Sequence, residues 1–80
     1  MAKLLFLGRL EDAAGGAERD LPLAAPTALA DVLAMLEPGL AQAAAGARIR
    51  LALNGALVPA DGLVLADADE LAFLPPVSGG

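Results

Sequence analysis

The fold is decided by one stretch close to the end of the chain, Asp69-Glu70-Leu71-Ala72-Phe73-Leu74-Pro75-Pro76. Apolar residues fill its second half, which predicts a β-strand over residues 70–74 with two alternating faces. The two prolines lack backbone N–H groups and favour an extended conformation. We therefore expect the strand to end at Leu74 and the chain to leave the sheet there.

A second apolar run, Leu4-Leu5-Phe6-Leu7, lies at the start of the chain. An uninterrupted apolar run is typical of a strand inside a sheet rather than at its edge. We expect the first and last strands to be central, with Phe6 and Phe73 packed under a helix. The alternate residues of both strands then lie on the uncovered face of the sheet: Leu5, Leu7, Ala72 and Leu74.

An uncovered apolar face on a small domain has two interpretations. It can be a surface that binds a partner protein, because small monomers rarely leave such patches exposed without a function. Alternatively, a loop can fold over it, and residues 10–17 and 59–62 are long enough to do so. We favour the partner surface.

The segment before the helix predicts a turn and an edge strand. Residues 10–17 contain Gly15-Gly16 and predict a turn-rich connection. Residues 18–24 predict a second strand, which Pro22 restricts to a sheet edge or a bulge. Pro26-Thr27 then opens a helix with Thr27 as its N-cap.

The helix carries one apolar stripe at the spacing i, i+3, i+4, i+7. The stripe consists of Leu29, Val32, Leu33 and Leu36. Pro38-Gly39 ends this helix near Glu37. The alanine-rich residues 40–47 predict either another short helix or a collapsed loop.

The last third of the chain predicts a hairpin and two further short strands. Residues 48–54 alternate between polar and apolar, and Asn54-Gly55 is typical of a type I′ turn. The element order is β-β-α-β-β-β. It predicts the α+β class and a roll of the β-grasp kind, with a mixed sheet of about five strands and one main helix on one face. Residues 1–74 form this domain, and residues 75–80 form a flexible tail.

The composition excludes most catalytic chemistry. The chain has 80 residues and contains no Cys and no His, which removes disulfides, thiol catalysis, zinc ribbons and the commonest general base. Ten acidic and five basic residues give a net charge of −5, which argues against binding nucleic acid or anionic membranes. We find neither a membrane span nor a signal peptide and expect a cytoplasmic protein.

The sequence ends at Gly79-Gly80, directly after the last strand and the Pro75-Pro76 spacer. A glycine carboxylate has no side chain to shield it, so it can enter a narrow channel in another protein. Because the composition removes its competitors, the C-terminal carboxylate of Gly80 is the candidate reactive group. As an isolated dipeptide, Gly-Gly would indicate only a frayed terminus.

The whole chain resembles the small subunit of molybdopterin synthase, the sulfur carrier of molybdenum cofactor synthesis. The tail carries most of this resemblance, through Phe73-Leu74-Pro75-Pro76-Val77-Ser78-Gly79-Gly80. The first strand, Leu4-Leu5-Phe6-Leu7-Gly8-Arg9-Leu10, and the hairpin residues Leu53-Asn54-Gly55 are also similar to that family. One departure is Ala68, which stands where the family usually has glycine in an Asp-Gly-Asp turn.

The resemblance implies a reaction cycle at Gly80 in which the partners supply the catalytic side chains, so the chain alone is expected not to be a catalyst. An activating enzyme consumes ATP to adenylate the carboxylate, and a sulfur donor protein converts the adenylate to a thiocarboxylate. The large synthase subunit then receives the tail, in an expected heterotetramer, and the sulfur attacks cyclic pyranopterin monophosphate. No metal and no stably bound cofactor are expected. The predicted partner-binding residues are Leu5, Leu7, Leu74, Pro75, Pro76, Val77, Ser78 and Gly79.

Two other classes of function stay open at this stage. The chain can be a β-grasp carrier for another thiolated product, such as the thiamine or tungsten cofactor precursor, or a ubiquitin-like protein modifier. It can also be a binding module that uses only the Leu5, Leu7 and Leu74 face, with no chemistry at the tail. Arg48 and Arg50 either face a partner or only keep the sheet face hydrated, and we favour hydration.

Overall fold

The computed structural model describes residues 1–76 of the chain. Seven strands and three short helices follow one another in the order β1, α1, β2, β3, α2, α3, β4, β5, β6, β7 within these residues. The strands are β1 (Ala2–Phe6), β2 (Glu18–Leu21), β3 (Thr27–Ala28), β4 (Arg50–Leu53), β5 (Ala56–Val58), β6 (Val64–Leu65) and β7 (Glu70–Leu74). The helices are α1 (Arg9–Ala14), α2 (Leu29–Ala34) and α3 (Pro38–Ala44).

Five strands form the main sheet in the order β2-β1-β7-β4-β5, and β3 pairs with β6 in a separate ribbon. The two apolar strands β1 and β7 lie side by side and run parallel, whereas the other pairs are antiparallel. The prediction that the first and last strands are central is confirmed. So is the predicted class, an α+β β-grasp fold with a mixed five-stranded sheet.

A single core fills the space between the sheet and the helices. Phe6 and Phe73 are both buried in this core, on the face where we expected them. They pair across β1 and β7, and their rings stack with centroids 5.4 Å apart. Each helix contributes to this core, and the predicted stripe on α2 faces it, with Val32 fully buried. The largest fully buried side chains are Phe6, Phe73, Leu4, Leu10, Leu65, Leu71 and Val32.

The connection predicted over residues 10–17 was wrong in part, because residues 9–14 form α1. Leu10 is buried in the core and anchors this helix to the sheet. Gly15 adopts a left-handed φ of 76°, and the N–H of Gly16 donates to the carbonyl of Glu11 at 3.0 Å. Gly15-Gly16 is therefore the C-terminal cap of a helix, a use of glycine that a turn signal alone does not distinguish.

The predicted start and end of the central helix also need correction. Thr27 is not the N-cap: it lies in β3, paired with Leu65, and its hydroxyl donates to the carbonyl of Ala25. The helix begins at Leu29 after Ala28, which supplies no capping hydrogen bond, and it ends at Ala34. Pro38 opens α3 at its first turn, where a missing N–H costs nothing.

Two turns hold the start of β7. Asn54 and Gly55 have φ values of 50° and 88°, which confirms the predicted β4–β5 turn. The Asn54 side chain donates to the Asp69 carboxylate at 3.0 Å and accepts from the N–H of Glu70 at 2.9 Å. The next turn places Ala68 at a φ of 74°. The turn of the β4–β5 hairpin is therefore hydrogen-bonded to the start of β7, the strand that leads into the tail.

Candidate functional site

The central strand β7 delivers the tail to one end of the sheet. The N–H of Leu7 donates to the carbonyl of Phe73, so hydrogen bonding to the β1 side continues almost to the end of β7. Leu74 pairs with Arg50 of β4 on its other side, and the Pro75 ring lies against Gly8. We call Leu74 and Pro75 the tail root; it is held from both sides, by β4 and by the end of β1. The predicted site residues Val77, Ser78, Gly79 and Gly80 lie outside the described residues.

The face of the main sheet opposite the helices carries a row of apolar side chains. The strand register places Leu5 beside Ala72, Ala72 beside Ala52, and Ala52 beside Leu57. We call this row the open-face stripe. It crosses four of the five strands, from β1 to β5, and the predicted residues Leu7 and Leu74 lie on the same face, nearer the tail.

The two loops considered for this purpose border the open face without covering all of it. Residues 11 and 17 line a groove with Leu5 and Leu7, and residues 59–60 line one with Leu57. Leu7 and Leu57 nevertheless remain 41% and 63% exposed. The structure therefore brings Leu5, Leu7, Leu74, Pro75 and Pro76 together around the tail root. That they bind a partner stays a prediction.

Charged residues border the open face unevenly. On the β2 side, Lys3 pairs with Glu18 at 3.1 Å, and the hydrogen bond and charge of Glu18 raise the pKa of Lys3 above its ordinary value. On the β4 side, Arg48 and Arg50 are exposed beside the tail root. There they line a shallow groove together with Leu74, Pro75 and Pro76.

Residues 1–76 contain neither a candidate metal-binding cluster nor a buried polar side chain. Residues 1–76 contain no group of three or more His, Cys, Asp or Glu side chains that could bind a metal ion. No polar or charged side chain is buried in this part of the protein. Within the same residues, no helix is long and apolar enough to cross a bilayer. What the described residues offer a partner protein is the end of β7 and the open face of the main sheet.

The sequence model of the ThiS family matches residues 4–80 of this chain. The chain belongs to the ThiS family. These proteins are ubiquitin-like sulfur carriers, which agrees with the β-grasp fold. The match extends over the four residues beyond Pro76 that carry the diglycine.

Solved structures give the same fold assignment for this ThiS-family chain. SAMP1 from Haloferax volcanii is 26% identical, with a TM-score of 0.80, and the match covers 99% of this chain and 98% of that one. A second structure, of small archaeal modifier protein 1 from the same organism, is 23% identical with a TM-score of 0.73, covering 95% and 97%.

A complex of subunits 1 and 2 of the molybdopterin-converting factor from Helicobacter pylori also matches. The matched chain is 24% identical with a TM-score of 0.65, and the match covers 99% of this chain and 97% of that one. No curated protein matches significantly.

Sequence reasoning missed two members of the open-face stripe, Ala52 and Leu57. A two-residue turn fixes the register of its hairpin. Given Asn54-Gly55, the positions of Ala52 and Leu57 as paired residues could have been read from the sequence, and the alternation in β4 then puts both on the outer face. The contact of Gly8 with Pro75 left no such signal, because it depends on the position of the chain after β7.

Proposed function

We propose that this ThiS-family protein is the sulfur-carrying small subunit of molybdopterin synthase. The tail sequence Phe73-Leu74-Pro75-Pro76-Val77-Ser78-Gly79-Gly80 carries the proposal, because its resemblance to that subunit is the most specific feature of the chain. The position of the tail root supports it. Leu74 and Pro75 leave the middle of the sheet beside an open apolar face, where a partner can bind the domain and receive the tail together.

The proposed chemistry takes place at the carboxylate of Gly80. A carboxylate oxygen attacks the α-phosphate of ATP in the activating enzyme, releasing pyrophosphate and forming an acyl-adenylate. A persulfide of a sulfur donor protein then attacks the acyl carbon, and AMP leaves with the original oxygen. A thiol reduces the resulting acyl disulfide and is itself oxidised to a disulfide with the donor. The product is a thiocarboxylate, which is a better nucleophile than the carboxylate it replaces.

The thiocarboxylate then transfers its sulfur inside the large synthase subunit. The sulfur attacks cyclic pyranopterin monophosphate, and water releases the carrier with its carboxylate restored. Two such transfers supply the two sulfurs of the dithiolene, and two carriers on a dimer of large subunits give the expected heterotetramer. ATP is consumed by the activating enzyme, and the carrier holds no cofactor.

A second candidate function, covalent modification of other proteins, is favoured by one observation. The structure of SAMP1 matches at a higher TM-score, 0.80, than the molybdopterin-converting factor complex does, at 0.65. In this case the same activated Gly80 would form an amide bond with a lysine amine, and AMP would leave. The two functions share the adenylation step and differ in the acceptor.

Intact-mass spectrometry tests the shared part of both candidates. The protein is incubated with the activating enzyme of its own organism, ATP and a sulfur source. We expect a mass increase that corresponds to exchange of one oxygen for sulfur, and no increase in a variant that lacks Gly80. A wild-type protein whose mass never changes would favour a binding module without tail chemistry.

The acceptor then separates the two candidates. Thiocarboxylated protein is mixed with the large synthase subunit and cyclic pyranopterin monophosphate, and dithiolene formation is measured. Formation of molybdopterin supports the synthase function. Failure here, together with lysine-linked conjugates in cells that express the protein, would replace the synthase function with protein modification.

A further inference from the structure

Two arginines stand at the point where the tail leaves the sheet. Arg50 lies directly opposite Leu74 in the β4–β7 register, and Arg48 lies in the turn just before β4. Both side chains are exposed and line one groove with Leu74, Pro75 and Pro76. We call Arg48 and Arg50, with this groove, the basic rim.

The basic rim is unusual in the charge pattern of this protein. The net charge is −5, with only five Lys and Arg residues. Lys3 pairs with Glu18, and Arg19 pairs with Glu37. Among residues 1–76, the exposed side chains of Arg9, Arg48 and Arg50 form no ion pair. Two of these three are concentrated in one groove beside the tail root.

The acidic residues nearest in the sheet lie on other borders of the open face. Asp69 and Glu70 are at the start of β7, at the end opposite Leu74. Glu18 and Asp20 are on β2, across β1 and β7 from Arg50. A partner that covers the open face therefore meets positive charge along the β4 side of the tail and negative charge along β2.

We propose that the basic rim binds carboxylate side chains at the mouth of the channel through which a partner protein receives the tail. The inference rests on the proposed function in one respect, that a partner takes the tail into its active site. The overall acidity of the carrier would favour a basic partner, but the local charge beside the tail selects an acidic contact. Arginine suits this role because its planar guanidinium binds a carboxylate through two parallel hydrogen bonds.

The apolar part of the groove favours a protein as the occupant. Leu74, Pro75 and Pro76 line the same groove as the arginines, so the surface pairs positive charge with apolar side chains. Nucleic acid is disfavoured, because its binding depends on many phosphate contacts and this chain is acidic overall. The uneven charge also fixes one orientation of the partner, and it accelerates encounter by electrostatic steering.

The test compares two variants with the same net charge. Arg48→Ala/Arg50→Ala removes the basic rim. Ala30→Glu/Gln42→Glu adds the same two units of negative charge at exposed positions on α2 and α3 and leaves the rim intact. The activating enzyme of the same organism is the probe. Adenylation of each protein is measured as pyrophosphate release, at about 0.01 M and at about 0.15 M ionic strength, where the screening length falls from ~30 Å to ~8 Å.

We expect the rim variant to raise KM about tenfold at low ionic strength, with kcat nearly unchanged, because the charges act on encounter and orientation. The Ala30→Glu/Gln42→Glu variant should change KM far less. The increase in KM caused by removing the rim should shrink at the higher ionic strength. Circular dichroism melts check that both variants fold.

Three results would overturn the proposal. The first is a rim variant with the same KM as the wild type. The second is an equal increase in KM for both variants. The third is a lower KM after loss of the arginines, which would indicate that the mouth of the partner's channel is basic. A wild-type protein that is never adenylated would overturn the proposed function itself and the rim with it. Normal adenylation with no effect of the arginines would overturn only the rim.

Discussion

Gly8 and Pro75 fit together without room for a side chain between them: a Cβ atom on Gly8 would lie 3.0 Å from Cγ of Pro75. Gly8 has a φ of 57° and a ψ of −136°, a conformation that residues with a side chain rarely adopt. The same residue therefore turns the chain from β1 into α1 and gives the tail root space to lie against the sheet.

A double-mutant cycle measures how much Gly8 depends on this contact. Gly8→Ala is expected to cost about 2 kcal/mol in the free energy of unfolding, through backbone strain and the clash with Pro75. In a Pro75→Ala background the cost should fall by about 1 kcal/mol, because the ring atom that causes the clash is gone. Urea denaturation of the four proteins gives the values.

Gly15 provides the control for this cycle. It also has a positive φ, 76°, but a Cβ atom there would have no neighbour within 4 Å. Gly15→Ala should cost the same free energy with Pro75 or with Ala at position 75. If Gly8→Ala behaves in that way too, the close contact has no energetic effect and only the backbone conformation requires glycine.

Ala68→Gly should stabilise the protein. Ala68 has a φ of 74°, where a side chain costs ~1–2 kcal/mol and glycine costs less, partly offset by the greater freedom of glycine in the unfolded chain. The free energy of unfolding should rise by up to about 1 kcal/mol. In a domain of this size that corresponds to a rise in Tm of up to about 4–8 °C. Differential scanning calorimetry measures it. A decrease in Tm would contradict the strain argument.

The Asn54–Asp69 contact predicts a defined dependence of stability on pH. The hydrogen bond from Asn54, and then that from the N–H of Ala66, lower the pKa of Asp69 below its ordinary value of 3.8. A carboxylate with a lowered folded-state pKa stabilises the protein above 3.8 and loses this contribution as the pH falls through the folded-state value.

Asp69→Asn should therefore lower Tm at neutral pH, and the difference from wild type should shrink as the pH falls below 3.8. Asp61→Asn removes the same charge from an exposed loop position and serves as the control. Thermal melts over a pH series give both curves. Equal curves for the two variants would mean that the hydrogen bonds of Asp69 contribute nothing to stability.

Leu7→Glu tests the open face as a partner surface. Leu7 is 41% exposed near the tail root, so its replacement should change the free energy of unfolding by no more than about 0.5–1 kcal/mol. A charge placed in an apolar contact that a partner must cover should weaken binding of the activating enzyme by about tenfold or more. Isothermal titration calorimetry measures the dissociation constant.

Met35→Glu is the matched control for Leu7→Glu. Met35 is 50% exposed directly after α2, in the layer that covers the opposite face of the sheet. It should leave binding of the activating enzyme unchanged. If both variants bind equally well, the open face at Leu7 is not where the enzyme binds.

The sequence predicted the sheet better than it predicted the helices. The parity of Phe6 and Phe73 was enough to place both rings in the core, because alternation in a strand leaves only two faces to choose from. The stripe on α2 was also found from its spacing. In contrast, Thr27 has the chemistry of an N-cap but pairs with Leu65 in a ribbon whose partner lies far along the chain. Local sequence does not encode such long-range pairing.

The candidate site was likewise predictable from the sequence only in part. The apolar face and the tail root were predictable, because they depend on strand alternation and on two prolines. The clustering of Arg48 and Arg50 beside Leu74 was not, since it requires the antiparallel register of β4 and β7. The helix made by residues 9–14 was missed because Gly15-Gly16 has the same sequence signature in a turn and in a helix cap.

The parallel pairing of β1 with β7 has a mechanical consequence. Because the two strands run in the same direction, the start of β1 and the end of β7 lie at opposite ends of the ladder that joins them. A force that pulls these two points apart loads all the hydrogen bonds of the ladder at once, in shear, instead of opening them one after another. Traction on the end of β7 is therefore shared by the whole β1–β7 ladder.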